Sequence, residues 1–190
     1  MMIPLPCIII AGGKSSRMGS DKALLPFGGF ETLTQYQIHR LTPFFQSLHV
    51  STRTKDKFDF EASFIEDITT YEAQSPLIAL LSIFQKFDTP MCVISVDTPF
   101  VTETVFQKLY DALDDKTDAL IAKSPECSHQ LCAIYRPNIK DKIIPMLEHN
   151  EHKIRTLLEQ INTKYIHFES DEPFLNLNFP NDYEKAKVLL

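Results

Sequence analysis

Short apolar runs rich in β-branched residues alternate with longer stretches of helical spacing, and this alternation limits the possible folds more than any other feature. Runs at 7–10, 48–52, 63–66, 91–96 and 119–122 read as strands; 32–44, 76–87 and 102–113 read as helices. Strands separated by helices predict βαβ units, right-handed crossovers and an α/β fold with a mostly parallel sheet. Pro76 suits the first turn of a helix, and Thr102 suits an N-cap with Val105 and Leu109 facing inward. Past residue 122 the rhythm changes, to a strand at 130–135, helices at 138–148 and 153–160, a strand at 165–168 and a closing helix at 180–189. No repeat or linker interrupts the pattern, so 1–190 reads as a single domain.

The net charge of -6 argues against a protein that coats nucleic acid, because neutralising phosphates needs a basic face. The opening apolar run carries two prolines and ends at Ala11-Gly12-Gly13, too short to span a bilayer. No basic leader precedes it, so the expected location is cytoplasmic. The four cysteines (Cys7, Cys92, Cys127, Cys132) are too scattered for a disulfide scaffold.

The segment Ala11-Gly12-Gly13-Lys14-Ser15-Ser16-Arg17-Met18-Gly19-Ser20-Asp21-Lys22 follows the first strand. That places it at the carboxyl edge of the sheet, where α/β proteins bind ligands. Glycines let backbone N–H groups approach a ligand, while Lys14, Arg17 and Lys22 supply cations suited to a triphosphate. A surface turn with solvated lysines is the plain alternative. A P-loop would need glycine at Ile8, and the dinucleotide fingerprint fails at Lys14 or Ser15.

Two carboxylate positions stand out by themselves. Asp67, after the strand at 63–66, could accept hydrogen bonds from a ribose or a base amino edge, or be a solvated loop acid. Asp97 closes the apolar strand Val93-Ile94-Ser95-Val96 and precedes Thr98-Pro99. An acid there calls for a cation or donors, and Mg²⁺ shared with phosphates is the natural partner. Capping the helix at 102–113, or simply serving as a turn residue, is the competing role.

The run from Ile10 through Gly-Gly-Lys-Ser-Ser-Arg-Met-Gly-Ser-Asp-Lys to Phe27-Gly28-Gly29 resembles the opening signature of molybdenum cofactor guanylyltransferases. These belong with the sugar-1-phosphate nucleotidyltransferases, so the resemblance implies a three-layer, Rossmann-like nucleotidyltransferase fold. It continues at four later places and covers nearly the whole chain. It implies that Ile10, Ala11, Gly12, Gly13, Lys14, Lys22, Ser51, Asp67 and Asp97 bind the nucleotide. It implies that Arg17, Lys22 and Asp97 act in catalysis, and that Asp97 and Asn178 hold Mg²⁺. Asn178 lies in Asn176-Leu177-Asn178-Phe179-Pro180-Asn181-Asp182-Tyr183, similar to the family's Asn-x-Asn-Thr-Pro-Glu-Asp-Tyr; a helix cap is its other role. Departures occur at Ser51, where the family often has asparagine, and at Phe179, where it has threonine. Ser75-Pro76-Leu77-Ile78-Ala79 replaces a Gly-Pro-Leu-x-Gly pattern.

The implied reaction transfers GMP from GTP to the terminal phosphate of molybdopterin, releasing pyrophosphate and forming molybdopterin guanine dinucleotide. Molybdenum-insertion proteins and molybdoenzyme chaperones are the implied protein partners, with no nucleic acid and no membrane. A cytidylyltransferase acting on the same pterin or on a phosphorylated alcohol is one alternative, although Ala11-Gly12-Gly13 differs from the Ala-Ala-Gly common there. A nucleotide-binding module without catalysis is another. Cys127-Ser128-His129-Gln130-Leu131-Cys132 matches no common zinc module, and core packing accounts for Cys132. The resemblance puts His129-Gln130-Leu131-Cys132-Ala133 on the acceptor side of a cleft.

Overall fold

The strand read at 7–10 extends over Ile3–Ile10 (β1), and every residue of it except Pro4 is buried. In the computed structural model, which describes residues 2–13, 18–71 and 73–189, β1 lies between two parallel neighbours. A strand covered on both faces needs a continuous apolar run, which is what Cys7-Ile8-Ile9-Ile10 supplies. The register shifts between Ile3 and Pro6, where proline has no N–H to give the ladder.

The other strands are β2 (Phe45–Thr52), β3 (Phe64–Glu66), β4 (Met91–Ser95), β5 (Ala119–Lys123), β6 (Ser128–Tyr135) and β7 (Thr163–His167). They form one seven-stranded sheet in the order β3-β2-β1-β4-β6-β5-β7. The sheet is mostly parallel, but β6 runs antiparallel to both β4 and β5. That reversal is why the strand-helix rhythm fails after residue 122. A short turn, closed by Ser124 N–H donating to the Cys127 carbonyl, joins β5 and β6 with no helix between them.

Alternate residues of the central strands feed two cores, as the two-residue pleat requires. Cys7, Ile9, Cys92 and Ile94 pack on one face with α1 (Leu33–Leu41), α3 (Glu103–Asp111) and α6 (Pro180–Val188). Ile8, Ile10 and Val93 pack on the other with α2 (Pro76–Phe84), α4 (Lys140–Glu148) and α5 (Ile154–Leu158). These are the three layers expected. Every residue of α2 from Leu77 to Phe84 is buried, because the helix is enclosed by the sheet and α4. Cutting Leu80, fully buried, to alanine should cost roughly 2–5 kcal/mol.

Helix ends follow local chemistry. Pro43 stops α1 after Leu41 and leaves a 3₁₀ turn at Thr42–Phe44, so the helix read at 32–44 is shorter than its apolar spacing. Pro76 occupies the first turn of α2, and the Ser75 hydroxyl caps it by accepting from Ile78 N–H. Thr102 sits at the N-cap of α3 but makes no capping bond; its hydroxyl pairs with that of Thr104 at 2.6 Å. Val105 and Leu109 do face inward. The helix read at 153–160 contracts to Ile154–Leu158, and the strand read at 165–168 begins earlier, at Thr163. Among the described residues no helix is long and apolar enough to cross a membrane.

Candidate active site

The loops leaving β1, β2, β3 and β4 meet at one edge of the sheet, still tied by backbone bonds beyond the strands. Ala11 N–H donates to the Ser51 carbonyl at 2.7 Å, Val96 N–H to Ile10 at 3.0 Å, and Asp67 N–H to Thr52 at 2.9 Å. The edge encloses a cavity of about 250 Å³ lined by Ile10, Ala11, Gly12, Gly13, Lys22, Asp67 and Asp97 among others. Seven of the residues singled out from the sequence are thus brought to one cleft. Lys14 and Arg17 lie outside the described residues.

Gly12 packs directly against the end of β2: a Cβ there would stand 3.4 Å from Arg53 N and 3.6 Å from Asp67 Oδ2, at ordinary contact distance.

Lys22 opens a 3₁₀ turn, Lys22–Leu24, capped by Asp21 Oδ1 accepting from Ala23 N–H at 3.0 Å. The buried Thr34 hydroxyl donates to the Ala23 carbonyl at 2.7 Å, fixing the turn on α1. From this base Lys22 Nζ donates to Asp97 Oδ2 and to Asn178 Oδ1, each at 3.0 Å. Side-chain exposures of 13% and 16% for Lys22 and Asp97 place the pair well inside the surface. The Ser95 hydroxyl donates to the other Asp97 oxygen at 2.6 Å.

Asn178 arrives from the far end of the chain. Leu177 N–H donates to the Asp97 carbonyl at 2.9 Å and docks the segment ahead of α6. A second anchor is Tyr183, whose hydroxyl donates to the Pro26 carbonyl and whose ring packs near Phe27. Phe27 and Phe30 exchange backbone bonds across Gly28 and Gly29, both at positive φ as a two-residue hairpin turn of this hand requires. The Leu-Pro-Phe-Gly-Gly part of the opening signature therefore has a structural task, holding α6 in place.

Neither cap alternative survives. Thr102 is the N-cap of α3 and Phe179 that of α6, while the side chains of Asp97 and Asn178 turn to Lys22. The α6 terminus is instead secured by Asp182 Oδ2 accepting from Phe179 N–H at 2.9 Å. Asp97 Oδ2 and Asn178 Oδ1 already converge on one cation, the Lys22 ammonium. Two hard oxygen donors completed by phosphate oxygens are a donor set that suits Mg²⁺. The residues fit that ion.

The opposite lip is different. Asp67 Oδ1 and the hydroxyl of the fully buried Ser51 are enclosed without a good hydrogen-bond partner among the described residues. Burial raises the Asp67 pKa above its usual value, against the pull of the Arg53 charge and the Ser51 hydroxyl. Thr52 and Arg53, not Ser51, reach the wall of an adjoining space of about 550 Å³ shared with Gly12, Gly13, Asp21 and Lys57. Ser75 and Ala79, the departures from the glycine pattern, line the cavity that holds Lys22 and Asp97, and Ser75 also caps α2.

Several residues were not legible as part of the site. Gln37, fully buried on α1, donates to the Val96 carbonyl at 3.0 Å and so braces the turn that carries Asp97. Arg40 supports it, donating to Gln37 Oε1 at 2.7 Å and to the Val101 carbonyl. Burial lowers the Arg40 pKa to about 10, which leaves it charged at neutral pH. Lys57 donates to the Ala11 carbonyl at 2.8 Å and to Asp21 Oδ2 at 2.7 Å. A polar glutamine on the core face of a helix was the one available hint. His129 stacks on Phe174 with ring centroids 4.0 Å apart and bonds to the Ser124 hydroxyl, while Leu131 of the same strand lines the cavity. Cys132 is buried in the core.

The MobA-like NTP transferase domain family matches residues 7–165. A molybdenum cofactor guanylyltransferase of Campylobacter jejuni (strain 81116) is 40% identical over 184 residues, covering 96% of this chain and 95% of that protein. One from Helicobacter pylori (strain 26695) is 31% identical, covering 98% and 93%. Among solved structures, molybdopterin-guanine dinucleotide biosynthesis protein A from Archaeoglobus fulgidus superposes with a TM-score of 0.84 at 23% identity, covering 97% and 98%.

Proposed function

The chain belongs to the MobA-like NTP transferase domain family, and from that premise we propose that it is a molybdenum cofactor guanylyltransferase that uses Mg²⁺. It would join GMP from GTP to the terminal phosphate of molybdopterin. The observation that carries the reading is the convergence of Lys22, Asp97 and Asn178 at the cleft floor beside the glycine loop.

In the reaction a phosphate oxygen of molybdopterin attacks the α-phosphorus of GTP in line. A new P–O bond forms as the bond to the β-phosphate bridging oxygen breaks, and pyrophosphate departs with that electron pair. The nucleophile is already an anion near neutral pH, so no side chain has to remove a proton. Positioning and charge neutralisation carry the catalysis. The backbone of Ile10–Gly13 would receive the nucleotide, with Lys14 and Arg17 on the β- and γ-phosphates. Lys22 would meet the charge that grows around the α-phosphorus. Asp97 and Asn178 would hold Mg²⁺, which when bound neutralises phosphate oxygens. Asp67, short of donors, would accept from the ribose or the base.

Calorimetric titration with GTP, CTP, ATP and UTP in the presence of Mg²⁺ tests the reading, followed by transfer to molybdopterin. Preference for GTP with formation of the dinucleotide is the expected result. Preference for CTP would replace the guanylyl assignment with a cytidylyl one, and binding without turnover would leave a non-catalytic module.

A further inference from the structure

We infer that Lys57 is a positioning residue whose ammonium ties the two ends of the glycine loop together and cancels the charge of Asp21 so that a triphosphate can enter. This rests on the nucleotide-transfer reading above and extends it to a residue outside the loop signature.

Asp21 poses an electrostatic problem. Its side-chain oxygen is needed where it is, because Oδ1 caps the turn that presents Lys22. Yet it lines both spaces of a cleft meant for a polyanion. With its side chain 32% exposed, it is only partly screened by solvent. Lys57 resolves the conflict at 2.7 Å, and its second bond, to the Ala11 carbonyl, reaches the other end of the same loop. One ammonium therefore fixes residue 11 against residue 21.

Lys57 is itself well seated. It ends the 3₁₀ turn Lys55–Lys57, whose N-cap Thr54 accepts from Asp56 N–H. The next residue, Phe58, is buried and stacks on Phe64 of β3 with centroids 5.1 Å apart. The Lys57 ammonium also stands 5.0 Å from the Phe58 ring centroid. A side chain anchored to the sheet in this way can hold Asp21, which lies ten residues beyond the Ala11 bond to β2.

The test is GTP affinity, measured by calorimetry at low and moderate salt on Lys57→Met, Lys57→Arg, Asp21→Asn and the double variant Lys57→Met/Asp21→Asn. Loss of a charge-assisted pair beside a polyanion should weaken GTP binding about tenfold in Lys57→Met, with the deficit shrinking as salt rises. Lys57→Arg should retain most of the affinity. The double variant should recover much of what Lys57→Met loses, since asparagine keeps the cap without the charge. Asp21→Asn alone should bind GTP as tightly as wild type or more tightly, a result that holds even where Lys57→Met folds poorly. Wild-type affinity in Lys57→Met, or a double variant no better than Lys57→Met, would overturn the proposal; the latter result would point to a direct phosphate contact. A wild-type protein that prefers CTP would overturn only the guanylyl assignment. The variants are then compared with CTP, because Lys57 touches Asp21 and the backbone and no base. A wild-type protein that binds no nucleotide would overturn the function and this role together.

Discussion

The two lips of the cleft each carry an aspartate at a strand end, and the two carboxylates are finished to different degrees. Asp97 has a partner on each side-chain oxygen, Ser95 on one and Lys22 on the other, and its own carbonyl receives Leu177. Asp67 has a bare buried oxygen beside a bare buried hydroxyl, and burial dominates its environment. A buried acceptor left unpaired costs roughly 1–3 kcal/mol, so a fold keeps one where a ligand restores the bond. The contrast suggests a division of labour. The Asp97 lip is set before substrate arrives, as a site that stabilises developing charge must be. In the proposed reaction the nucleoside would complete the Asp67 lip.

The sharpest way to break this contrast is Asp97→Ala. Removing the carboxylate on which Lys22 and Ser95 converge should lower transfer by about a thousandfold or more, with the circular dichroism of the folded protein retained. Unchanged turnover would reject the assigned role. Lys22→Ala comes next. Its kcat should fall roughly a hundredfold while the KM for GTP changes little, because the proposed role of the cation is to act where charge develops. A pure KM effect would move Lys22 from the pre-set lip to simple nucleotide binding.

Asp67→Asn probes the other lip and should show the reverse pattern, GTP affinity about tenfold weaker and kcat nearly preserved. Wild-type affinity should also decline as pH falls through a value above the ordinary aspartate range, and the variant should lack that limb. The sign of the stability effect follows from the same shift. A carboxyl with a raised folded-state pKa binds its proton more tightly in the native than in the unfolded chain. Its contribution therefore falls as pH rises from the unfolded value through the folded one, and above both it remains a penalty. Asp67→Asn should accordingly unfold no more easily than wild type at neutral pH, a point that thermal melts at several pH values can check.

The pre-set lip was partly readable from residue order. An apolar strand that ends on an acid and turns through proline marks Asp97 by itself. The central strands and the helices between them came from periodicity, which reports burial, and the three layers from the family resemblance. What periodicity does not report is direction: the buried half of β6, Cys132 to Tyr135, is as apolar as its neighbours, and only the helix-free turn at 124–127 explains why it runs antiparallel. The start of α2 was read from Pro76, whereas the Ser75 cap, Gln37, Arg40 and Lys57 were not. The roles of the last three depend on partners that distant parts of the chain supply, as with Lys57 and Ala11, and no local pattern encodes those pairs. Asn178 stood out only through its likeness to a family segment; the bond from Leu177 to Asp97 that brings it to the site is likewise non-local.

Ser51 offers the finest test of how the unfinished lip works. Its hydroxyl is fully enclosed and has no well-formed hydrogen bond, its one influence being a weak interaction with the Asp67 carboxylate, so Ser51→Ala removes a buried polar group at little loss. Stability should change by less than about 1 kcal/mol, in contrast to the usual loss for a buried polar side chain that has partners. The hydroxyl is nevertheless one of the two influences that hold the Asp67 pKa down. Without it, burial acts against Arg53 alone, and the carboxyl takes up its proton at a higher pH. The acid limb of GTP binding should then shift upward in Ser51→Ala, while affinity well above the limb falls by no more than about threefold. If the limb stays in place, Ser51 and Asp67 are not coupled, and the nucleoside lip reduces to Asp67 and whatever donors the ligand brings.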